Sequence, residues 1–248
     1  MITILKKTYS VWQVFVFACI LLVMFPLIMI PNLFLDKKKG GAVAYFFLKV
    51  WAFLLNVFYF IRFKTHNIEN IEKNRTCVFV ANHNSFYDSV ALSWAIPGQF
   101  RPLGKIEITK APLFGKIYER VVVTVDRKSA ESRRKSVTRM LDTLREGISM
   151  LVYPEGRMNE TKELMTEFHD GAFSVAVEAG VPIQPIILTN TRRVMPVLKY
   201  LLALPGKVDI YFLPAIAPQG NGKDAIIELK QKVRTAMENK LNELNYKH

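Results

Sequence analysis

The sequence predicts an α/β protein: a single domain with a central mixed β-sheet flanked by helices, preceded by an N-terminal membrane-associated helical pair. Three observations lead there. Over some 180 residues, short apolar runs rich in β-branched side chains alternate with helical patterns, as strands and helices of one sheet-centred domain do. Half of the 248 residues are apolar and 12% are aromatic, enough for a large core and against disorder. The N-terminal part instead carries two long apolar stretches in tandem, which rarely form a soluble core. The boundaries read as 1–65 for the membrane-anchoring segments and 66–248 for the remaining domain.

Charge and composition narrow the partners. There are 34 basic against 21 acidic residues, a formal net charge of +13. Such an excess calls for an anionic partner: a membrane surface, nucleic acid, or a phosphorylated or acidic substrate. No recognised nucleic-acid motif is present, so nucleic acid is not expected. Cys19 and Cys77 make neither a disulfide framework nor a metal pair, which fits a reducing, cytoplasmic setting for the main domain. His66, His83, His169 and His248 are scattered without H-E-x-x-H, so no metal and no cofactor is expected.

Taken in order, Val11 to Leu35 has no formal charge and is flanked by Lys6-Lys7 and Lys37-Lys38-Lys39. As one helix it would measure about 37 Å against roughly 30 Å of hydrocarbon. Pro26 and Pro31 are expected to kink or break it. Gly40-Gly41 reads as a hinge, and Ala42 to Phe63, aromatic-rich with Lys49 inside, as a helix lying in the membrane interface. A two-pass hairpin would put the triple lysine outside, against the positive-inside tendency, so spanning and embedding both stay open.

From His66 onward, Cys77–Ala81 is a strand and Ser89–Ile96 a helix stopped by Pro97-Gly98. Arg120 to Val125 reads as a strand. Arg133-Arg134-Lys135 opens a helix with Val137, Met140, Leu141 and Leu144 on one stripe, ending near Gly147. Ile148–Tyr153 is a strand that runs into Pro154-Glu155-Gly156-Arg157, followed by a polar, irregular connection from Glu160 to Phe168. A small-residue helix from Asp170 to Gly180 leads to the strand Ile186–Leu188. Val194 to Leu204 is an apolar stretch for lipid or core, Val208–Leu213 a last strand. The terminal helix shows Leu229, Val233, Met237 and Leu241 at core-facing spacing.

The stretch that carries chemistry is Asn82-His83-Asn84-Ser85-Phe86-Tyr87-Asp88, between that strand and that helix. Five residues apart on one helix lie about 140° round from each other and do not meet. A turn between them removes the obstacle, letting Asp88 accept the Nδ1 proton of His83 and leaving Nε2 as a general base. Ser85-x-x-Asp88 also has the form of a capping box, and capping alone accounts for both residues. Lys105 and Arg127, at strand and loop ends, are cations able to hold a phosphate dianion, though such residues are most often solvated surface charges. Glu155 and Gly156 end a strand and line the same mouth, as is usual in an α/β sheet.

With these residues in place, the chain resembles the 1-acylglycerol-3-phosphate acyltransferase family of glycerolipid acyltransferases from about His66 to Leu213. The family's NH-x-S-x-x-D is complete at Asn82–Asp88. Its second region is similar to Lys105-Ile106-Glu107 and Pro112-Leu113-Phe114-Gly115, closing on Arg127. The third, usually Pro-Glu-Gly-Thr-Arg, stands as Pro154-Glu155-Gly156 with Arg157 at the Thr position and Met158 at the Arg position. Phe168-x-x-Gly171 and Val181-Pro182-Ile183-x-Pro185 also fit. The resemblance implies acyl transfer from acyl carrier protein or coenzyme A to the hydroxyl of a lysophospholipid, giving phosphatidic acid. His83 would be the base oriented by Asp88, Lys105 and Arg127 the phosphate holders, and Glu155 an acceptor contact.

Backbone N–H groups of the turn are the expected oxyanion donors. The enzyme is expected at the membrane with its catalytic domain on the cytoplasmic face, its basic surface pressed on anionic lipid and Arg133-Arg134-Lys135 touching headgroups or an acidic carrier. Three alternatives stand beside this: another lysolipid acceptor, a membrane-anchored hydrolase with Ser85 as nucleophile, and a non-enzymatic basic module. The hydrolase lacks G-x-S-x-G and has its serine two residues from its base. The basic module leaves the acid–base pair unexplained.

Overall fold

Apolar runs that alternate their side chains between two cores build the sheet. In the computed structural model, which describes residues 2–72, 75–196 and 203–246, seven strands form one sheet. Its spatial order is β1 (Ile61–His66), β7 (Gly206–Phe212), β6 (Ile183–Thr189), β2 (Val78–Ala81), β5 (Ser149–Val152), β3 (Phe100–Lys105), β4 (Val123–Val125). All neighbours are parallel except β6 and β7, so the sheet is mixed, as expected. In β2, Val78 and Val80 enter one core while Phe79 and Ala81 enter the other. A strand buried on both faces reads as a continuous apolar run for this reason.

One face is covered by α6 (Ala130–Arg145), α7 (Gly171–Ala179) and α9 (Gly222–Glu243). The other is covered by α4 (Tyr87–Ala95), α5 (Phe114–Val121) and the N-terminal helices α1 (Ile2–Met29) and α3 (Lys37–Phe58), which the short α2 (Pro31–Phe34) connects. The N-terminal pair is therefore a layer of the fold. Tyr45, Ala52, Leu55 and Tyr59 share a core with Phe79 and Phe100, and the Tyr45 and Phe100 rings lie 4.9 Å apart. Gln13, buried in α1, donates to the Ala203 carbonyl at 2.6 Å and accepts the Ala203 N–H at 3.0 Å. A buried amide needs both ends satisfied, and this one is. The outer sides of the same helices expose Val11, Phe15, Leu22, Val23 and Phe34.

Several elements differ from expectation. The first helix continues through Pro26 to Met29, and the break falls after it; Pro31 opens α2, where a missing N–H costs nothing. Gly40-Gly41 is no hinge, since α3 runs through it. A Cβ at Gly40 would strike the Asn32 side chain and one at Gly41 the Gln99 side chain, so these glycines permit close approach. The apolar stretch to Phe63 is not one helix: α3 ends at Phe58 and β1 starts at Ile61 after a reversal at Phe60, φ 53°. Arg120 and Val121 end α5, and the strand begins only at Val123. Of the stretch 194–204, Val194 ends the short α8 (Thr191–Val194). Residues 197–202 and His248 lie outside the described residues, as do the side chains of Lys6, Lys7 and Lys37.

Candidate active site

The site forms at the C-terminal ends of parallel strands, the usual location in open α/β sheets. His83 follows β2, Lys105 ends β3, Arg127 follows β4, and Tyr153 follows β5. Asn82, fully buried, ties the turn to β6: it donates to the Leu188 carbonyl at 2.9 Å and accepts the Leu188 N–H at 2.8 Å.

His83 and Asp88 meet. Nδ1 lies 2.8 Å from Oδ2 of Asp88, which is 0% exposed. An ionised carboxylate only accepts, so Nδ1 carries the proton and Nε2 has a lone pair. The same oxygen accepts the N–H groups of Asn84 at 2.7 Å and Ser85 at 2.8 Å, which fix the carboxylate from the turn side. The imidazole stacks on Tyr153, centroids 4.0 Å apart at 15°. Burial first, and then the charge of Asp88, push the Tyr153 hydroxyl far above its ordinary acidity range, so it stays protonated.

The backbone N–H groups of His83, Asn84, Ser85, Tyr87 and Asp88 are all spent within the fold, so these five do not serve as the oxyanion donors expected of the turn. Asn84 and Ser85 donate to Asp88, His83 N–H donates to Glu155 Oε1 at 2.9 Å, Tyr87 N–H to Ser85 Oγ, and Asp88 N–H to the Ser85 carbonyl. Ser85 is also spent. It is fully buried, and its hydroxyl donates to the Met195 carbonyl at 2.8 Å. A hydroxyl so held is a structural bridge, not a free nucleophile.

Glu155, expected as an acceptor contact, has both carboxylate oxygens bonded within the protein. One oxygen takes the His83 N–H, and the other takes the N–H and hydroxyl of Thr166 at 2.7 and 2.9 Å. The irregular connection is thereby pinned to the turn, and the Asn159 N–H completes the clamp on the His83 carbonyl at 2.7 Å. Gly156 has φ 70°, and a Cβ there would meet the His169 ring at 2.8 Å, so both backbone and space demand glycine. Its carbonyl accepts a hydrogen bond from Arg127. Burial holds the Arg127 guanidinium somewhat below its ordinary pKa, without threatening its charge.

Around the pair lie three clefts. A polar one of about 520 Å³ is lined by the cations Lys105, Arg127, Lys128 and Arg157, with Glu155 and Gly156 in its wall. It brings together four of the six residues singled out from sequence. A second, of about 430 Å³, runs under Arg127, Arg133 and Tyr153. The third, about 410 Å³, is apolar and lies between α1, α3, α4 and α5; Phe17, Trp51, Phe114 and Ser89 line it. His83 and Asp88 do not line these clefts themselves, but Tyr153 and Ser89 beside them do.

Sequence reasoning missed Tyr153, Thr166 and Tyr246. Past α9, Asn245 takes a left-handed conformation (φ 49°), and the Tyr246 N–H returns to the Leu241 carbonyl at 3.0 Å, a helix-terminating motif. This turn aims Tyr246 at the Asn82–Asp88 segment, where its hydroxyl accepts from the Asn84 side chain at 3.4 Å. Burial, reinforced by Asp88, pushes that hydroxyl up to about 12. Only an Asn directly before the aromatic, at a helix end, signalled it in the sequence.

Comparison with known proteins places the chain in a family and a fold. A sequence model of the acyltransferase family matches residues 62–189. The chain is 29% identical over 168 residues to the chloroplastic 1-acyl-sn-glycerol-3-phosphate acyltransferase BAT2 of Brassica napus, covering 67% of this chain and 48% of that one. It is 28% identical over 176 residues to the 1-acyl-sn-glycerol-3-phosphate acyltransferase of Escherichia coli (strain K12), 70% of each chain. The chain spans about half the length or less of the algal and plant relatives it matches. The crystal structure of the 1-acyl-sn-glycerophosphate (LPA) acyltransferase PlsC from Thermotoga maritima has the same fold: TM-score 0.84 at 20% identity, over 99% of this chain and 98% of that one.

Proposed function

The chain belongs to the acyltransferase family, and from that premise we propose that it transfers a fatty acyl group from a thioester donor to the free hydroxyl of 1-acyl-glycerol-3-phosphate at a membrane surface. The observation that carries this reading is the His83–Asp88 bond, 2.8 Å long, with its carboxylate fully buried and held by two further N–H groups.

A glycerol hydroxyl is far too weak an acid to attack unaided. Neutral His83 takes its proton at Nε2 as the oxygen bonds to the thioester carbonyl, and Asp88 supports the imidazolium that forms. The tetrahedral intermediate then expels the thiolate, which takes that proton back from Nε2. No acyl-enzyme is needed, because the thioester is already activated. Lys105 and Arg127 hold the acceptor phosphate in the polar cleft, fixing the hydroxyl near His83. The apolar cleft between the N-terminal helices and α4 and α5 takes a hydrocarbon chain. Glu155 and Gly156 serve as positioning residues: their contacts hold the turn and the Arg127 guanidinium. Two helical stretches, Thr8–Phe34 and Lys38–Phe58, are long and apolar enough to cross a bilayer, and their exposed apolar sides support a membrane setting; in this reading the catalytic domain stands on the cytoplasmic face. The hydrolase reading has no observation in its favour, since Ser85 is bridged on both sides.

The test is a labelled-acyl transfer assay over a panel of lysolipids, with acyl carrier protein and coenzyme A as alternative donors. Transfer to lysophosphatidate that vanishes in His83→Ala is expected. Arg127→Ala should raise KM for that acceptor by about tenfold or more while sparing a phosphate-free one. Hydrolysis of the donor without transfer to any lysolipid would overturn the proposal.

A further inference from the structure

Between the polar and apolar clefts runs a short 3₁₀ turn, Ile106–Lys110, whose side chains divide the surroundings among them. With three residues per turn, successive side chains point about 120° apart. Glu107 lines the polar cleft, Ile108 lines the apolar one, and Ile106 points away from both, 41% exposed. The chain then reverses at Leu113, whose φ of 59° and ψ of −55°, with Phe114 N–H donating to the Pro112 carbonyl at 2.6 Å, mark a three-residue turn of the rare strained kind. Strain of this sort persists only where surroundings enforce it. Here they do: Gly115 sits against the Thr109 backbone, where a Cβ has no room, and the Phe114 ring is 6.1 Å from Phe17 and 6.5 Å from Trp51. The strain holds Leu113 outward, 37% exposed.

Exposed apolar side chains scattered singly mean little. Beyond residue 60, however, the large ones among the described residues are Ile68, Phe86, Ile106, Leu113 and Ile227; Phe86 lines the apolar cleft, and Ile106 and Leu113 stand just before its lining residues Ile108 and Phe114 in the chain. Through Phe114, whose ring lies against Phe17, they adjoin α1, whose Val14 and Phe15 are exposed. Lys105, Lys110 and Lys116 flank the group, all exposed.

We propose that Ile106 and Leu113, with Phe86, form a lip that enters the headgroup region of an anionic lipid leaflet beside α1. The proposal rests on the membrane setting of the proposed function and extends it to the catalytic domain itself. An acceptor with one acyl chain and one phosphate would straddle the lip directly from the leaflet, chain on the Ile108 side and phosphate on the Glu107 side. Apolar side chains at the interface with lysines around them are the composition such a contact needs.

The experiment uses the full chain with the exposed Cys19 changed to Ser. An environment-sensitive fluorophore is placed in turn on Ile106→Cys, Leu113→Cys, Phe15→Cys and Ile227→Cys. Vesicles of phosphatidylglycerol and phosphatidylcholine in equal parts should brighten the first three, with quenching by a shallow nitroxide lipid, and leave the fourth dark. Brightening at Phe15→Cys alone overturns the lip and keeps the membrane setting; darkness at all four overturns both. In parallel, Ile106→Asp with Leu113→Asp should cut kcat/KM on a vesicle-borne acceptor about tenfold or more. Leu113→Gly guards against misfolding as the cause: it removes the strain with the side chain, so the fold should hold while activity on vesicles drops several-fold. Unchanged vesicle activity in both variants would also overturn the lip.

Discussion

The molecule holds two histidine–aspartate pairs of nearly the same build. His83–Asp88 and His66–Asp209 each have a 2.8 Å bond, and each imidazole lies flat on a tyrosine, His83 on Tyr153 at 4.0 Å and His66 on Tyr211 at 4.3 Å. They differ in which nitrogen is spent. His66 gives Nε2, the tip of its ring, to Asp209, whereas His83 gives Nδ1 and keeps its tip. The settings differ too. Asp88 is sealed and held by backbone N–H groups, while Asp209 also meets the exposed Lys207 at 2.8 Å. His66 lies on β1, the edge strand, so that pair clasps β1 to β7. A close His–Asp contact therefore does not by itself mark a candidate active site; the free nitrogen and the neighbouring clefts are what favour the His83 pair.

Three substitutions test this contrast. Asp88→Asn should lower kcat about a thousandfold while circular dichroism reports an intact fold, because the amide favours the wrong tautomer. A loss of less than tenfold would mean the carboxylate only braces the turn. Tyr246→Phe keeps the ring and removes the hydroxyl contact to Asn84. It should lower kcat by about two- to tenfold at unchanged KM, and an equal kcat would remove the C-terminal turn from the argument.

Asp209→Asn should leave transfer unchanged and lower stability by about 1 kcal/mol or less at neutral pH. Its pH dependence has a definite sign. Burial pushes the Asp209 carboxyl up, but hydrogen bonds from Lys207 and His66, with their charges, outweigh it and hold it below the ordinary value of 3.8. A depressed pKa in the fold stabilises above the unfolded value and loses that contribution as pH falls through the folded one. The melting difference between the native protein and Asp209→Asn should accordingly narrow below about pH 4. A difference that widened on acidification would contradict the assignment.

What the sequence made legible were elements whose burial is uniform. The runs at 77–81 and 208–213 read as strands because both faces are covered, and Met140, Leu141 and Leu144 are buried on α6 as their spacing required. The turn joining His83 to Asp88 was legible because only a turn lets residues five apart meet. Elements set by tertiary context were not. β3 contains Arg101, Pro102 and Gly104, which no strand preference selects, yet β4 and β5 hold it on either side. β1 was absorbed into an apolar helix because Ile61 and Phe63 continue the pattern of α3. The inward role of Glu155 and the reach of Tyr246 depend on partners 72 and 162 residues away, beyond any local pattern.

The amide of Gln13 has a further consequence. Because it is bonded in both directions to Ala203, just ahead of β7, α1 is bolted to the catalytic body and cannot act as a loose leash. A leash would let an enzyme sample any height above the lipid. In the membrane setting proposed above, a bolted helix works as a depth stop instead, so the distance from the leaflet to His83 is set when the chain folds.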